Sequence, residues 1–245
     1  MDAQLGPGAK RPSLLQWVVV LVVLLIVAAL AIPGFFAGGR VSNSQSASSR
    51  LHTLCSAEAD FRANDRDGNH VNDFWTGDVK SLYTLTSAAV PGARGGTEDP
   101  PIKVIGLLFA GADADGTFVE AGGENTPLSS YTVPNANSGY WYAALSLDLS
   151  SSATLDSTYK RDTGGTPKMG SCHNLSKFGF VAFPDSESAG QYVYTVNQNH
   201  TVFRRHTIGP AKTANTLPPG LNGFQELYQN WPKETDLKSW WAPLD

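Results

Sequence analysis

The spacing of apolar positions changes along this chain, and each change predicts a different element. Residues 17–32 are 16 apolar residues in unbroken succession, and counting from Leu14 gives 19 residues with Gln16 as the one amide. A helix rises about 1.5 Å per residue, so this stretch covers roughly 28 Å, close to the hydrocarbon thickness of a bilayer. The run then gives way to an amphipathic pattern. In RVSNSQSASSRLHTLCSAEADFRAND, Val41, Ala47, Leu51, Leu54, Cys55 and Phe61 recur near spacings of three and four, which predicts a helix with one apolar stripe. Gly38, Gly39 and the serines lower helix propensity there, but no proline interrupts residues 34–63.

Further on, the pattern turns to strands. KVIGLLF (103–109), GYWYAALSLDL (139–149), KFGFVAF (177–183), QYVYTV (191–196) and HTVFRR (200–205) are β-branched and aromatic runs bounded by Gly, Pro, Asn or Asp. Tyr192, Tyr194 and Val196 share one parity, which suits a half-buried strand. Asn197-Gln198-Asn199 then reads as a hairpin turn. The expected fold class is α+β: a long N-terminal helix, hydrophobic then amphipathic, packed on an antiparallel sheet of roughly four to six strands. Residues 121–137 and the tail 211–245 read as irregular, with Trp231-Pro232 and Trp240-Trp241 pinning the tail by burying aromatic area.

Charge sets the orientation of the apolar run. Lys10 and Arg11 precede it and the next basic residue is Arg40, so the N-terminus belongs in the cytoplasm and the rest of the chain outside. Residues 1–13 are then a cytoplasmic tail, 14–33 the transmembrane part of a stem, 34–63 its amphipathic continuation, and 64–245 an extracytoplasmic head. The alternative is a secretory signal peptide cleaved after Ala29-Leu30-Ala31. The length of the run, and the helical pattern that follows it, favour a retained anchor. The net charge of −4 over 245 residues leaves no basic footprint for nucleic acid.

The stem resembles that of type IV pilins and type II secretion pseudopilins. In that family a leader ends in a basic residue and glycine. A phenylalanine, a Thr or Ser, two aliphatics and a glutamate then open the mature chain, whose apolar run ends in Ala-Ile-Pro. Here Pro12-Ser13-Leu14-Leu15-Gln16 occupies the first five mature positions, and Ala31-Ile32-Pro33 closes the run in register. Pro33 matches the family's helix-kinking proline. Three residues depart. Arg11 stands where the peptidase needs glycine, Pro12 where the methylated N-terminus would be, and Gln16 where a glutamate guides assembly. The resemblance implies a pilin-derived protein without processing or polymerisation, held as a permanent single-pass tether in the bacterial cytoplasmic membrane. It also implies a non-enzymatic role, with other pilin-like stems or envelope proteins as partners. A secreted or tethered binding module, or a minor component of a pilus or pseudopilus, is the alternative. FRANDRDGNHVNDFWTGDVKSLYTL (61–85) and the later aromatic blocks resemble segments of pilin-like proteins as well.

Two groups of residues carry candidate chemistry. Asp65, Asp67, Asn69 and Asp73 place oxygen ligands at positions 1, 3, 5 and 9 of an EF-hand-like loop, which points to calcium. His70 at position 6 and Thr76 at position 12 depart from that loop, and the same residues also suit a plain turn closing the stem. Gly111-Ala112-Asp113-Ala114-Asp115-Gly116 is a second acidic turn and reads as a hairpin loop. The only cysteines, Cys55 and Cys172, either form a disulfide bolting stem to sheet or remain buried thiols. Cys172-His173 is not a nucleophile–base pair, because neighbours on a strand point to opposite faces. No HExxH, G-x-S-x-G, P-loop or dinucleotide motif is present, so no small-molecule substrate or catalytic residue is expected.

Overall fold

The structure is a computed structural model, and it describes residues 14–85, 101–114, 132–150, 158–161, 172–207 and 230–244. Arg11 and Pro12 lie outside the described residues. Two compact units divide the chain, Met1–Gly39 and Arg40–Asp245.

Helix α1 spans Leu14–Asn64. In the first unit the side chains of residues 14–27 are exposed, and they are apolar on every face except at Gln16. Pro33 falls within the helix. Among the described residues no helix is long and apolar enough to cross a membrane. The side chains at positions 28 and 30–36, which the apolar run passes through, lie outside the described ones.

In the second unit α1 contributes Ala47, Leu51, Leu54, Cys55, Ala57 and Phe61 to the main core, following the three–four spacing. The helix stops because Asp65 adopts a left-handed backbone, φ 45°, and the Arg66 amide bonds back to the Phe61 carbonyl at 3.2 Å. That is a Schellman closure with Asp in the position glycine usually fills.

After α1 come β1 (Phe74–Trp75), α2 (Ser81–Thr84) and α3 (Leu107–Ala110). Then follow β2 (Tyr140–Ala144), β3 (Leu147–Asp148), β4 (His173–Asn174), β5 (Gly179–Pro184), β6 (Tyr192–Asn197) and β7 (Val202–His206). The described chain ends with β8 (Asn230–Trp231), α4 (Glu234–Trp240) and β9 (Ala242–Leu244). A five-stranded sheet runs in the order β2-β5-β6-β7-β9, every pair antiparallel. The expected α+β class and antiparallel sheet are therefore present.

Several expectations are corrected. Residues 103–109 form no strand: Gly106 is extended and Leu107–Ala110 makes a single helical turn. The helix-forming Leu-Leu-Phe-Ala stretch outweighs Val104 and Ile105. Strand β6 is buried on both faces. Tyr194 and Val196 face the α1 core, while Val193 joins a second cluster with Trp141, Val181, Phe183, Trp231 and Trp241. That second layer exists because residues 230–244 fold into β8, α4 and β9 rather than staying irregular; residues 121–131 and 211–229, also expected to be irregular, lie outside the described residues. Trp231 and Trp241 are buried there as expected, whereas Trp240 is 48% exposed.

Of the two readings of the cysteines, the structure has the buried thiols. Cys55 and Cys172 form no disulfide; both are buried thiols within the same core. A disulfide is made by a thiolate, and burial together with the nearby Glu58 charge pushes the Cys55 thiol up to about 12. Each thiol packs as a small apolar group.

Candidate functional site

The end of α1, the loop after it and the short β1–β4 ladder converge on a buried cluster of acids and one histidine. The β1–β4 register pairs Trp75 with His173, which puts their side chains on one face. Their rings meet edge-on at 5.3 Å, and Phe61 lies 6.4 Å from the imidazole. Asp73 sits two residues before Trp75 and so projects to the same face. Its Oδ1 lies 3.0 Å from His173 Nδ1. Asp67 reaches the other side of the ring, with Oδ2 at 3.7 Å from Nε2. Asp67, Asp73 and His173 each offer a ligand atom, and these atoms lie within 4.8 Å of one another.

β4 is held from both sides. His173 exchanges backbone hydrogen bonds with Arg161, 3.0 and 2.8 Å, and the Thr76 amide and hydroxyl donate to the Cys172 carbonyl at 2.6 and 2.7 Å. The imidazole therefore has little freedom.

The cluster is almost dry: Asp67 is 0% exposed and Asp73 and His173 1% each. Among the described residues no N–H or hydroxyl donor reaches either Asp67 oxygen, and the Asp65 carboxyl lies beside it. Burial pushes Asp67 up to about 7 against the pull of His173, and Asp73 and Asp65 push it the same way. Glu58, one turn before Phe61, is also fully buried and is held well above the ordinary carboxylate range, first by burial. Asp67 and Asp73 thus flank a single imidazole, with the Asp65 carboxyl beside Asp67 and Glu58 beside Asp73, and burial drives Asp67 and Glu58 toward their neutral forms.

Of the four calcium candidates, Asp67 and Asp73 come together. Asn69 turns back into its own loop, its Oδ1 accepting the Val71 amide at 2.7 Å. Asp65 Oδ2 accepts the His70 amide at 3.1 Å, while its Oδ1 is buried and makes no hydrogen bond among the described residues. His70, at the EF-hand glycine position, has φ 62°. His173 was absent from the sequence-predicted set; no local spacing links it to the loop.

Other flagged residues serve the backbone. Asp113 Oδ2 accepts the Val79 and Lys80 amides at 3.2 and 2.8 Å just before α2, and Asp115 lies outside the described residues. A groove of about 350 Å³ with mixed polar and apolar walls is lined by Asp148, Asn197, Glu234, Phe203, Trp231 and Leu237 among others. Its carboxylates face lysines: Asp148 with Lys177 at 3.3 Å and Glu234 with Lys238 at 2.6 Å.

Comparison with family models, curated proteins and solved structures finds no match to this chain.

Proposed function

We infer that the chain is a membrane-tethered, non-enzymatic structural or interaction protein of the bacterial envelope, pilin-like in plan, with its sheet domain outside the cytoplasmic membrane. One observation carries this reading. A single helix, Leu14–Asn64, joins an exposed segment that is apolar almost all round to a segment whose stripe is built into the core of the sheet domain. A helix apolar on all faces needs a nonpolar surrounding, and residues 14–33 have the length and composition to find it in a bilayer. Arg11, Pro12 and Gln16 argue for a tether rather than a polymerising subunit, since a neutral amide cannot pair with a neighbour's N-terminal ammonium as a carboxylate does.

The test is extraction of the full-length protein from membranes. Wild type should resist alkaline carbonate and yield to detergent. Val22→Arg together with Leu25→Arg should move it to the soluble fraction, because each arginine at a helix centre costs about 2.5–3.5 kcal/mol on insertion. Release of the wild type by carbonate alone overturns the reading.

A further inference from the structure

We propose that Asp67 and His173 bind a divalent transition ion of the zinc type, with Asp73 as the positioning residue that holds the imidazole. The site would cross-link the loop closing the stem helix to strand β4.

The geometry argues for a cation between the two ligands. Asp73 lies at hydrogen-bond distance from Nδ1, 3.0 Å, which directs the Nδ1 proton to that carboxylate and turns the Nε2 lone pair toward Asp67. Nε2 and Asp67 Oδ2 are 3.7 Å apart, too far for a hydrogen bond. Two metal bonds of roughly 2.1 Å span that separation at an angle of about 125°, close to tetrahedral. Asp67 is wholly buried, and among the described residues no N–H or hydroxyl donor reaches either of its oxygens, so its Oδ2 faces Nε2 across a space an ion would fill. A buried carboxylate left in that condition is costly, and coordination removes the cost.

The donor set selects the ion. Calcium takes six to eight oxygens from a flexible loop. Here one donor is an imidazole nitrogen on a clamped strand, and Asn69, the oxygen the calcium loop requires, is committed to the Val71 amide. Imidazole with carboxylate suits zinc and its first-row neighbours. The ring of Trp75 and the Phe61 side chain keep the site dry.

The experiment uses the full chain in detergent, stripped with EDTA and dialysed. Metal content, calorimetric titration and melting are measured with Zn²⁺ and Ca²⁺ separately, and Co²⁺ serves as a visible probe. One equivalent of zinc per chain is expected, with a rise in Tm that millimolar Ca²⁺ does not reproduce. Co²⁺ should give the intense visible bands of a low-coordinate site. Asp67→Asn should abolish binding while leaving the metal-free protein at least as stable as wild type, since it removes a buried charge. Asp73→Asn should weaken binding about 10- to 100-fold, as expected when a metal-bound histidine loses its carboxylate. The proposal is overturned if zinc neither binds nor shifts Tm; a fall in the metal-free Tm on Asp67→Asn would then describe an imidazolium clasped by two carboxylates. A calcium shift equal to that of zinc overturns the assignment of the ion.

Discussion

The backbone amide of Trp75 donates to Glu58 Oε2 at 2.9 Å, fastening β1 to the last turns of α1. Burial holds Glu58 well above its ordinary 4.5; the Trp75 amide pulls the other way, and Asp73 adds to the upward push. A folded-state value above the unfolded one stabilises the fold at low pH, and that stability is lost as pH rises through the folded value. From this group the loss should run at up to about 1.4 kcal/mol per pH unit above the unfolded value. Glu58→Gln keeps an oxygen for the Trp75 amide and should flatten that slope in urea titrations of metal-free protein across pH. Parallel curves for the two proteins would place the proton elsewhere.

The two thiols should be inert in the folded protein. Cys55 and Cys172 are each 1% exposed, and the Cys55 thiol is pushed up to about 12 by burial and by Glu58. A thiolate is the reactive form. Iodoacetamide at pH 8 should therefore label neither residue until guanidinium unfolds the chain, when both react. Reducing agent should leave Tm unchanged. Mass spectrometry showing a peptide pair linked through Cys55 and Cys172 would contradict this.

The tail should owe its attachment to Trp231 rather than Trp240. Trp231 is 4% exposed and packs edge-on to Phe203 at 5.7 Å, while Trp240 is 48% exposed. Trp231→Ala should cost about 3–5 kcal/mol. Trp240→Ala should change stability by less than about 0.5 kcal/mol. Denaturant midpoints compare the two directly.

Gly77 leaves room for the Trp75 indole. A Cβ there would lie 2.6 Å from the ring, which is itself fixed by its N–H donating to the Asp78 carbonyl at 3.0 Å. Gly77→Ala should destabilise the protein by about 1–3 kcal/mol. Gly38→Ala, where nothing lies within 4 Å, should be neutral or stabilising, since alanine favours a helix.

Local pattern made part of this legible. The three–four spacing picks out Val41, Ala47, Leu51, Leu54, Cys55 and Phe61; the last five are core residues, whereas Val41 is 59% exposed. The aromatic blocks became β2, β5, β6 and β7. The second face of the sheet was harder to see, because Val193 is covered by Trp231 and Trp241 from the distant tail, and period-2 reading assumes one wet face. The site divided in the same way. Asp67 and Asp73 were visible in one acidic loop, whereas His173 joins them only through the β1–β4 pairing. Its signal in the sequence was a polar residue beside a cysteine at the edge of a strand block, too little to separate it from the other four histidines.

Whether the chain is a permanent, unprocessed tether is decided by the intact mass and N-terminal sequence of the protein extracted from its native membrane. A tether gives a membrane-bound chain beginning at or near Met1. A chain beginning at Pro12, above all one methylated there, would make it a processed pilin; a soluble chain beginning just after Ala31 would make residues 1–31 a cleaved signal peptide. Either result would contradict the account.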